Sequence, residues 1–266
     1  MSPLSCALPL LIPLLAIAAS PVAGSEPASA SEKWLVERSD LAEKLATGAP
    51  VTVDNRHGDL RVRVGEPGEL SVHGALQRLG GEPALRIEIV SDGAGWRVRV
   101  VEPGAARPRE GPPRRADLAV VLPADSPLTL RGGSDLVEAR GFAAALVAET
   151  STGEIRLRGS GAVNLRSERG AIRVAFHPVT PSAPSRIETL TGDIEVEFPA
   201  RANAEARLET QGSLTTDYSL EVERIGPLTK RAHARLGSGG VEIRLASRTG
   251  DLRLLERLAA APAADP

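Results

Sequence analysis

Apolar and polar residues alternate along most of the chain, and the alternation restarts after a glycine. Residues 152–159 read TGEIRLRG, residues 169–176 read RGAIRVAF and residues 191–198 read TGDIEVEF. In the first, Ile155 and Leu157 point one way and Glu154, Arg156 and Arg158 the other. In the third, Ile194 and Val196 point inward, with Asp193, Glu195 and Glu197 outward. A period of two is that of a half-buried β-strand. HGDLRVRV from His57, QGSLTTDY from Gln211, GGVEIRLA from Gly239 and TGDLRLLE from Thr249 are further copies. Shorter segments fall between them: LVEAR from Leu136, ALVAET from Ala145, AVNLRS from Ala162, ARLET from Ala206 and HARLGS from His233. Strands thus arrive roughly every ten residues from Asp135 onward, separated by turn residues. The predicted inward set includes Ile155, Leu157, Val163, Leu165, Ile172, Val174, Ile194 and Val196.

Gly58, Gly153, Gly170, Gly192, Gly212, Gly240 and Gly250 punctuate these copies as structural turn glycines, each expected to supply a positive φ. From Gly153 through Gly170 and Gly192 to Gly212 the spacings are 17, 22 and 20 residues. No single unit buries its apolar stripe alone, so neighbouring units must stack. The prediction is an all-β, single-domain β-solenoid, right-handed and β-helix-like, with rungs of about 20 residues. A β-sandwich is the alternative; a propeller blade needs about 40 residues and a repeated multi-strand signature.

Before the repeats the pattern is less regular. Residues 51–64, VTVDNRHGDLRVRV, suggest a hairpin-like pair around Asn55–Gly58. Strands follow near 70–76, 85–90 and 96–102, and again on either side of Pro123. SDLAEKLATG, from Ser39 to Gly48, has an N-cap residue and a glycine stop and predicts a short helix. Residues 103–115, PGAARPREGPPRR, read as an extended loop holding Arg107, Arg109, Arg114 and Arg115. One continuous domain is expected from 33 to 256, with a flexible tail over 257–266.

The first 24 residues read differently. LSCALPLLIPLLAIAA, from Leu4 to Ala19, carries no charge and leads into small residues. That is the pattern of a secretory signal peptide, here 1–24, cleaved between Gly24 and Ser25 or, alternatively, after Ala30. Pro9 and Pro13 disfavour a spanning helix. The expectation is an exported protein, periplasmic or extracellular, with no transmembrane segment in the mature chain. Cys6, the one cysteine, falls in the removed part, so no internal disulfide forms.

Composition then removes function classes. Aromatics are 2% of the chain, which argues against stacking platforms for single-stranded nucleic acid and against aromatic sugar subsites. The net charge of −2 gives no reason to expect nucleic acid as partner. His57, His73, His177 and His233 have no metal-ligand spacing. No GxSxG elbow or phosphate-binding loop occurs. The acids after turn glycines, Asp59, Glu154, Asp193 and Asp251, read as turn residues rather than a calcium ladder, because adjacent copies carry Ala171 and Ser213. Asp54, Asn55 and Asp59 make the densest oxygen cluster, which a turn also explains. Arg156, Arg158, Arg166 and Arg173 are expected to share one sheet face. Residues 177–225 hold four basic and nine acidic side chains, so stacking in order predicts a more acidic C-terminal half.

In the order VTVDNRHGDLRVRV, ADLAVVLPADSPLTL, TGEIRLRG, RGAIRVAF, TGDIEVEF, the chain resembles the bacterial putative-adhesin domain family, whose function is unknown. The resemblance implies an exported or tethered β-solenoid without catalytic residues. The function expected is a non-enzymatic, adhesin-like interaction or structural module of the cell envelope. It has no catalytic, cofactor-binding or metal-binding residues, and its partner would be an envelope or surface protein or a glycan. A polysaccharide-acting β-helix enzyme, with Glu195 and Glu197 as carboxylates, and an end-to-end polymerising structural protein are the alternatives.

Overall fold

The computed structural model describes residues 33–80, 83–91, 93, 95–102 and 114–257. The signal segment with Gly24 and Ser25, Arg107 and Arg109 of the proline-rich loop, and residues 258–266 lie outside these.

The described chain is all β, without helix. It runs through β1 (Trp34–Lys44), β2 (Val51–Asn55), β3 (Leu60–Val64), β4 (Glu69–Leu79), β5 (Arg86–Ser91), β6 (Trp96–Val101) and β7 (Arg115–Leu122). It continues through β8 (Leu128–Gly132), β9 (Val137–Phe142), β10 (Leu146–Thr150), β11 (Ile155–Gly159), β12 (Val163–Ser167), β13 (Ile172–Phe176) and β14 (Ser185–Thr189). The rest are β15 (Ile194–Pro199), β16 (Ala204–Thr210), β17 (Leu214–Thr216), β18 (Glu221–Arg224), β19 (Lys230–Leu236), β20 (Val241–Ser247) and β21 (Leu252–Arg257). They form two large mixed sheets, neither closed into a barrel. The ten-stranded sheet has the order β1-β4-β7-β3-β9-β11-β13-β15-β21-β17, and the eleven-stranded sheet β18-β19-β16-β20-β14-β12-β10-β8-β2-β6-β5.

From β8 to β15 successive strands alternate between the sheets, and each from β8 to β13 pairs in parallel with the strand two places on. Short strands recur because the chain must leave one sheet after about five residues to reach the other. The register lines up identical roles. Leu60, Val137, Ile155, Ile172, Ile194 and Leu252 form one inward row, and Leu130, Ala148, Leu165, Ile187, Leu245 and Leu208 another. Both rows belong to one apolar core supplied by the two sheets. All eight inward positions predicted from the alternation are buried. Each such side chain contributes about 1.5–3 kcal/mol by leaving water.

Three local expectations are corrected. The segment from Ser39 to Gly48 is not a helix: it lies mostly in β1, paired antiparallel with β4 along all 11 of that strand's residues. That non-local register outweighs local helix propensity, and only Ser39 and Leu41 of the strand are part-buried. Residues 51–64 are not a hairpin, since β2 joins the eleven-stranded sheet and β3 the ten-stranded one. Buried Asn55 drives that crossing. Its Nδ2 donates to the carbonyls of Gly58 (3.2 Å), Asp59 (3.1 Å) and Ala116 (2.7 Å), and its Oδ1 accepts from the His57 amide (3.1 Å). Finally, the strands do not stack in chain order. β20 enters between β14 and β16, and β21 between β15 and β17. The acid-rich segment therefore lies at one end of each sheet, interleaved with Arg244 and Arg253.

Candidate functional site

Five of the turns that carry the chain from the eleven-stranded to the ten-stranded sheet share one construction. A hydroxyl residue ends the strand and glycine follows three residues later, as in Thr150 and Gly153, Ser167 and Gly170, Thr189 and Gly192, and Ser247 and Gly250. In Thr210 and Gly212 the gap is two. The hydroxyl oxygen accepts the glycine amide at 2.8 Å for Ser167, 3.2 Å for Thr189, 2.9 Å for Ser247 and 2.9 Å for Thr210. It also donates to the neighbouring turn. Thr189 reaches the Gly170 carbonyl (3.3 Å), Ser247 that of Gly192 (2.8 Å) and Thr210 that of Gly250 (2.6 Å). All these hydroxyl residues are buried, so their bonds replace water that the core excludes. The hydroxyl-x-x-glycine spacing is present in the sequence and was the readable sign of this ladder.

The glycines themselves serve a different purpose from the one expected. Of the seven turn glycines only Gly240 has a positive φ, at 150°; the others with positive φ among the described residues are Gly48, Gly68, Gly93, Gly141, Gly226, Gly237 and Gly239. Turn stacking is what excludes a side chain. A Cβ on Gly170 would strike the Gly153 carbonyl, one on Gly192 that of Gly170, one on Gly250 that of Gly192, and one on Gly212 that of Gly250, all closer than 3.0 Å.

The acids after the glycines act across turns. Asp193 Oδ1 accepts the Asp251 amide (2.8 Å) and Asp251 Oδ1 the Ser213 amide (2.8 Å). Asp117 Oδ1 likewise accepts the Asp59 amide (2.9 Å). These bonds reach 38 or 58 residues along the chain, not within one turn as expected. Arg115 draws three acids together, Asp117 (2.9 Å), Asp135 (2.8 Å) and Asp59 (3.1 Å). Its guanidinium is held further above its usual range, first by the hydrogen bond to Asp117 and less by Asp135. Among the described residues no group of three or more His, Cys, Asp or Glu side chains is placed to hold a metal ion. His73 pairs with Asp40 (2.7 Å) and His233 with Glu205 (2.6 Å).

The outer face of the ten-stranded sheet collects charge in rows set by the register. One row reads Arg61, Glu138, Arg156, Arg173, Glu195 and Arg253 on β3, β9, β11, β13, β15 and β21. Its arginines are all paired with acids. Arg61 meets Asp59 (2.9 Å), Arg156 meets Glu154 (2.7 Å), Arg173 also meets Glu154, and Arg253 meets Glu195 (3.5 Å). The next row reads Arg63, Arg140, Arg158, Ala175 and Glu197. Arg140 pairs with Glu138, whereas Arg63 and Arg158 have no ion pair among the described residues. A hollow of about 300 Å³ on this face is lined by Arg140, Arg156, Arg158, Arg173, Glu195 and Glu197, among others. Arg166 is not part of it: it sits on β12 in the other sheet. The eleven-stranded sheet has a hollow of about 450 Å³, where Arg207 pairs with Glu242 (3.2 Å) and Arg231 with Glu209 (3.3 Å).

No family model matches the chain, and no curated protein matches it. Two solved structures are similar. One is a putative cell adhesion protein from Clostridium sporogenes ATCC 15579, at 12% identity and a TM-score of 0.41, covering 83% of this chain and 100% of that one. The other is a putative adhesin from Bacteroides fragilis NCTC 9343, at 12% identity and a TM-score of 0.42, covering 85% and 98%. No helix among the described residues is long and apolar enough to cross a membrane.

Proposed function

We propose that this chain is an exported, non-enzymatic interaction module of the bacterial cell envelope, adhesin-like, built as a two-sided β-solenoid. The observation that carries the reading is the use made of the polar groups. Asp59, Asp193 and Asp251 lie in a structural lattice with backbone amides of the next turns, and Glu154 and Glu195 with arginines. A carboxylate so occupied is a poor acid or base, while rows of arginine and glutamate on rigid strands make a fixed recognition surface. The solenoid description rests on strands that alternate between two sheets in parallel register. Export rests on the uncharged 4–19 segment and the small residues before Ser25. The test has two arms. N-terminal sequencing of the exported protein should begin at Ser25, and an intact Met1 in the cytoplasm would remove export. Purified protein should sediment with isolated envelopes and release no sugar from them. Sugar release that disappears in Glu195→Gln or Glu197→Gln would show an enzyme instead.

A further inference from the structure

We infer that Arg63, Arg140 and Arg158 form a ladder for the acidic groups of a linear acidic polysaccharide running across the strands. The inference rests on the proposed role as an interaction module and names its ligand class. The three residues occupy matching positions on the adjacent parallel strands β3, β9 and β11, with Arg63 opposite Arg140 and Arg140 opposite Arg158. Neighbouring strands lie about 4.8 Å apart, so the three positions follow one another at that interval, and all three side chains are exposed. Like charges directly opposite one another destabilise a sheet. In the neighbouring row the protein avoids this expense, because Arg156 and Arg173, also opposite each other, share Glu154. In the ladder only Arg140 has an acid, and the positions on either side, Val121 on β7 and Ala175 on β13, bring none.

A row of guanidinium groups in which two of the three have no acid matches carboxylates or sulfates repeated along a stiff chain, since each free fork can take an anionic group by two parallel hydrogen bonds. Among the described residues, the hollow beside the ladder offers no aromatic ring for a base or a neutral sugar to stack on. Phe142, Phe176 and Phe198 are buried in the core. Recognition there depends on charge and hydrogen bonding, which favours an acidic polymer over a neutral glycan or single-stranded nucleic acid.

The experiment compares three forms of the mature chain by binding to immobilised polygalacturonate and heparin, with dextran and duplex DNA beside them. The forms are the parent, Arg63→Gln/Arg140→Gln/Arg158→Gln, and a charge-matched Arg207→Gln/Arg231→Gln/Arg244→Gln control on the other sheet. The parent and the control should bind an acidic polysaccharide with an affinity that falls as salt rises, and dextran should not bind. The ladder variant should bind at least about tenfold more weakly and, having shed its repulsion, should melt no lower than the parent. Polygalacturonate without heparin would identify carboxylate as the group read, and heparin without polygalacturonate would identify sulfate. Equal binding by parent and ladder variant would overturn the ladder. So would a parent that ignores both polymers, or one that takes duplex DNA as tightly. In each of those cases sedimentation with envelopes still judges the interaction module on its own.

Discussion

Replacing Gly192 with alanine tests the stacking of the turns at one of its tightest points. The new Cβ would meet the carbonyl oxygen and carbon of Gly170 and the amide nitrogen of Ala171. All three are backbone atoms of the neighbouring turn, which is itself pinned by Thr189 and packed on Gly153. With no flexible side chain to yield, the turns must part, an overpacking of about 1–3 kcal/mol. Parting also stretches the bond from the Thr189 hydroxyl to the Gly170 carbonyl (3.3 Å), about 1 kcal/mol. The stiffer unfolded chain returns about 0.4–1 kcal/mol. The net loss is about 2 kcal/mol, or a fall in Tm of roughly 4–8 °C for a chain of this size. Gly48→Ala is the comparison. It has a φ of 69° and no atom within 4 Å of its added Cβ, so it suffers only left-handed strain. That strain is about 1 kcal/mol, and roughly 2–4 °C. Thermal unfolding followed by circular dichroism measures both variants under one set of conditions. If Gly48→Ala melts at or below Gly192→Ala, backbone conformation rather than turn stacking governs these glycines.

Three further outcomes follow from the same geometry. Ile194→Asp, at a fully buried position, should lose several kcal/mol in urea unfolding, while Glu195→Gln beside it should change stability by under about 0.5 kcal/mol; equal effects would refute the facing of β15. Thr189→Val leaves the Gly192 amide unpaired in the core and should lose about 1–3 kcal/mol, whereas Thr189→Ser should melt near the parent. Tyr218, the one tyrosine, is pushed up to about 12, mainly by burial and then by Glu256 and Asp217. The unfolded chain loses this proton near its ordinary value of 10.0 and the folded chain later, so the contribution to stability is intact below that pH and fades as pH rises toward 12. Phenolate absorbance in the folded protein should rise late, and a midpoint at the ordinary value would contradict the burial.

The alternation made strand facing legible because it is a local property: every residue from Ile155 to Leu157, or from Ile194 to Val196, declares its side by its neighbours. What lay beyond local pattern was misjudged. Val51–Val64 has the spacing of a hairpin, but β2 pairs with β6 and β8 and β3 with β7 and β9, and Asn55 reaches Ala116, 61 residues away, partners that no local pattern names. The stretch after Ser39 carries helix-like signals that a full-length pairing with β4 overrides. The turn glycines were visible as a repeat, but their cause was not, because a clash with the preceding turn has no trace within one copy. The Arg63, Arg140 and Arg158 ladder is likewise unreadable in advance. Arg63 and Arg140 are far apart in sequence and meet only because β3 pairs with β9.

The late entry of β20 and β21 has a consequence for how the molecule comes to exist. Among the described residues, β20 gives β16 its only ladder to β14, and β21 gives β17 its only ladder to β15. Everything between Ala204 and Leu236 therefore waits for the segment Val241–Arg257 before it joins either sheet. A chain interrupted before Val241 would not be a shorter version of this protein. It would be a body with two raw edges, at β14 and β15, trailing a loose meander of β16, β18 and β19. Closure arrives from the middle, late, and in both sheets at once, so the polypeptide stays open-ended through most of its synthesis.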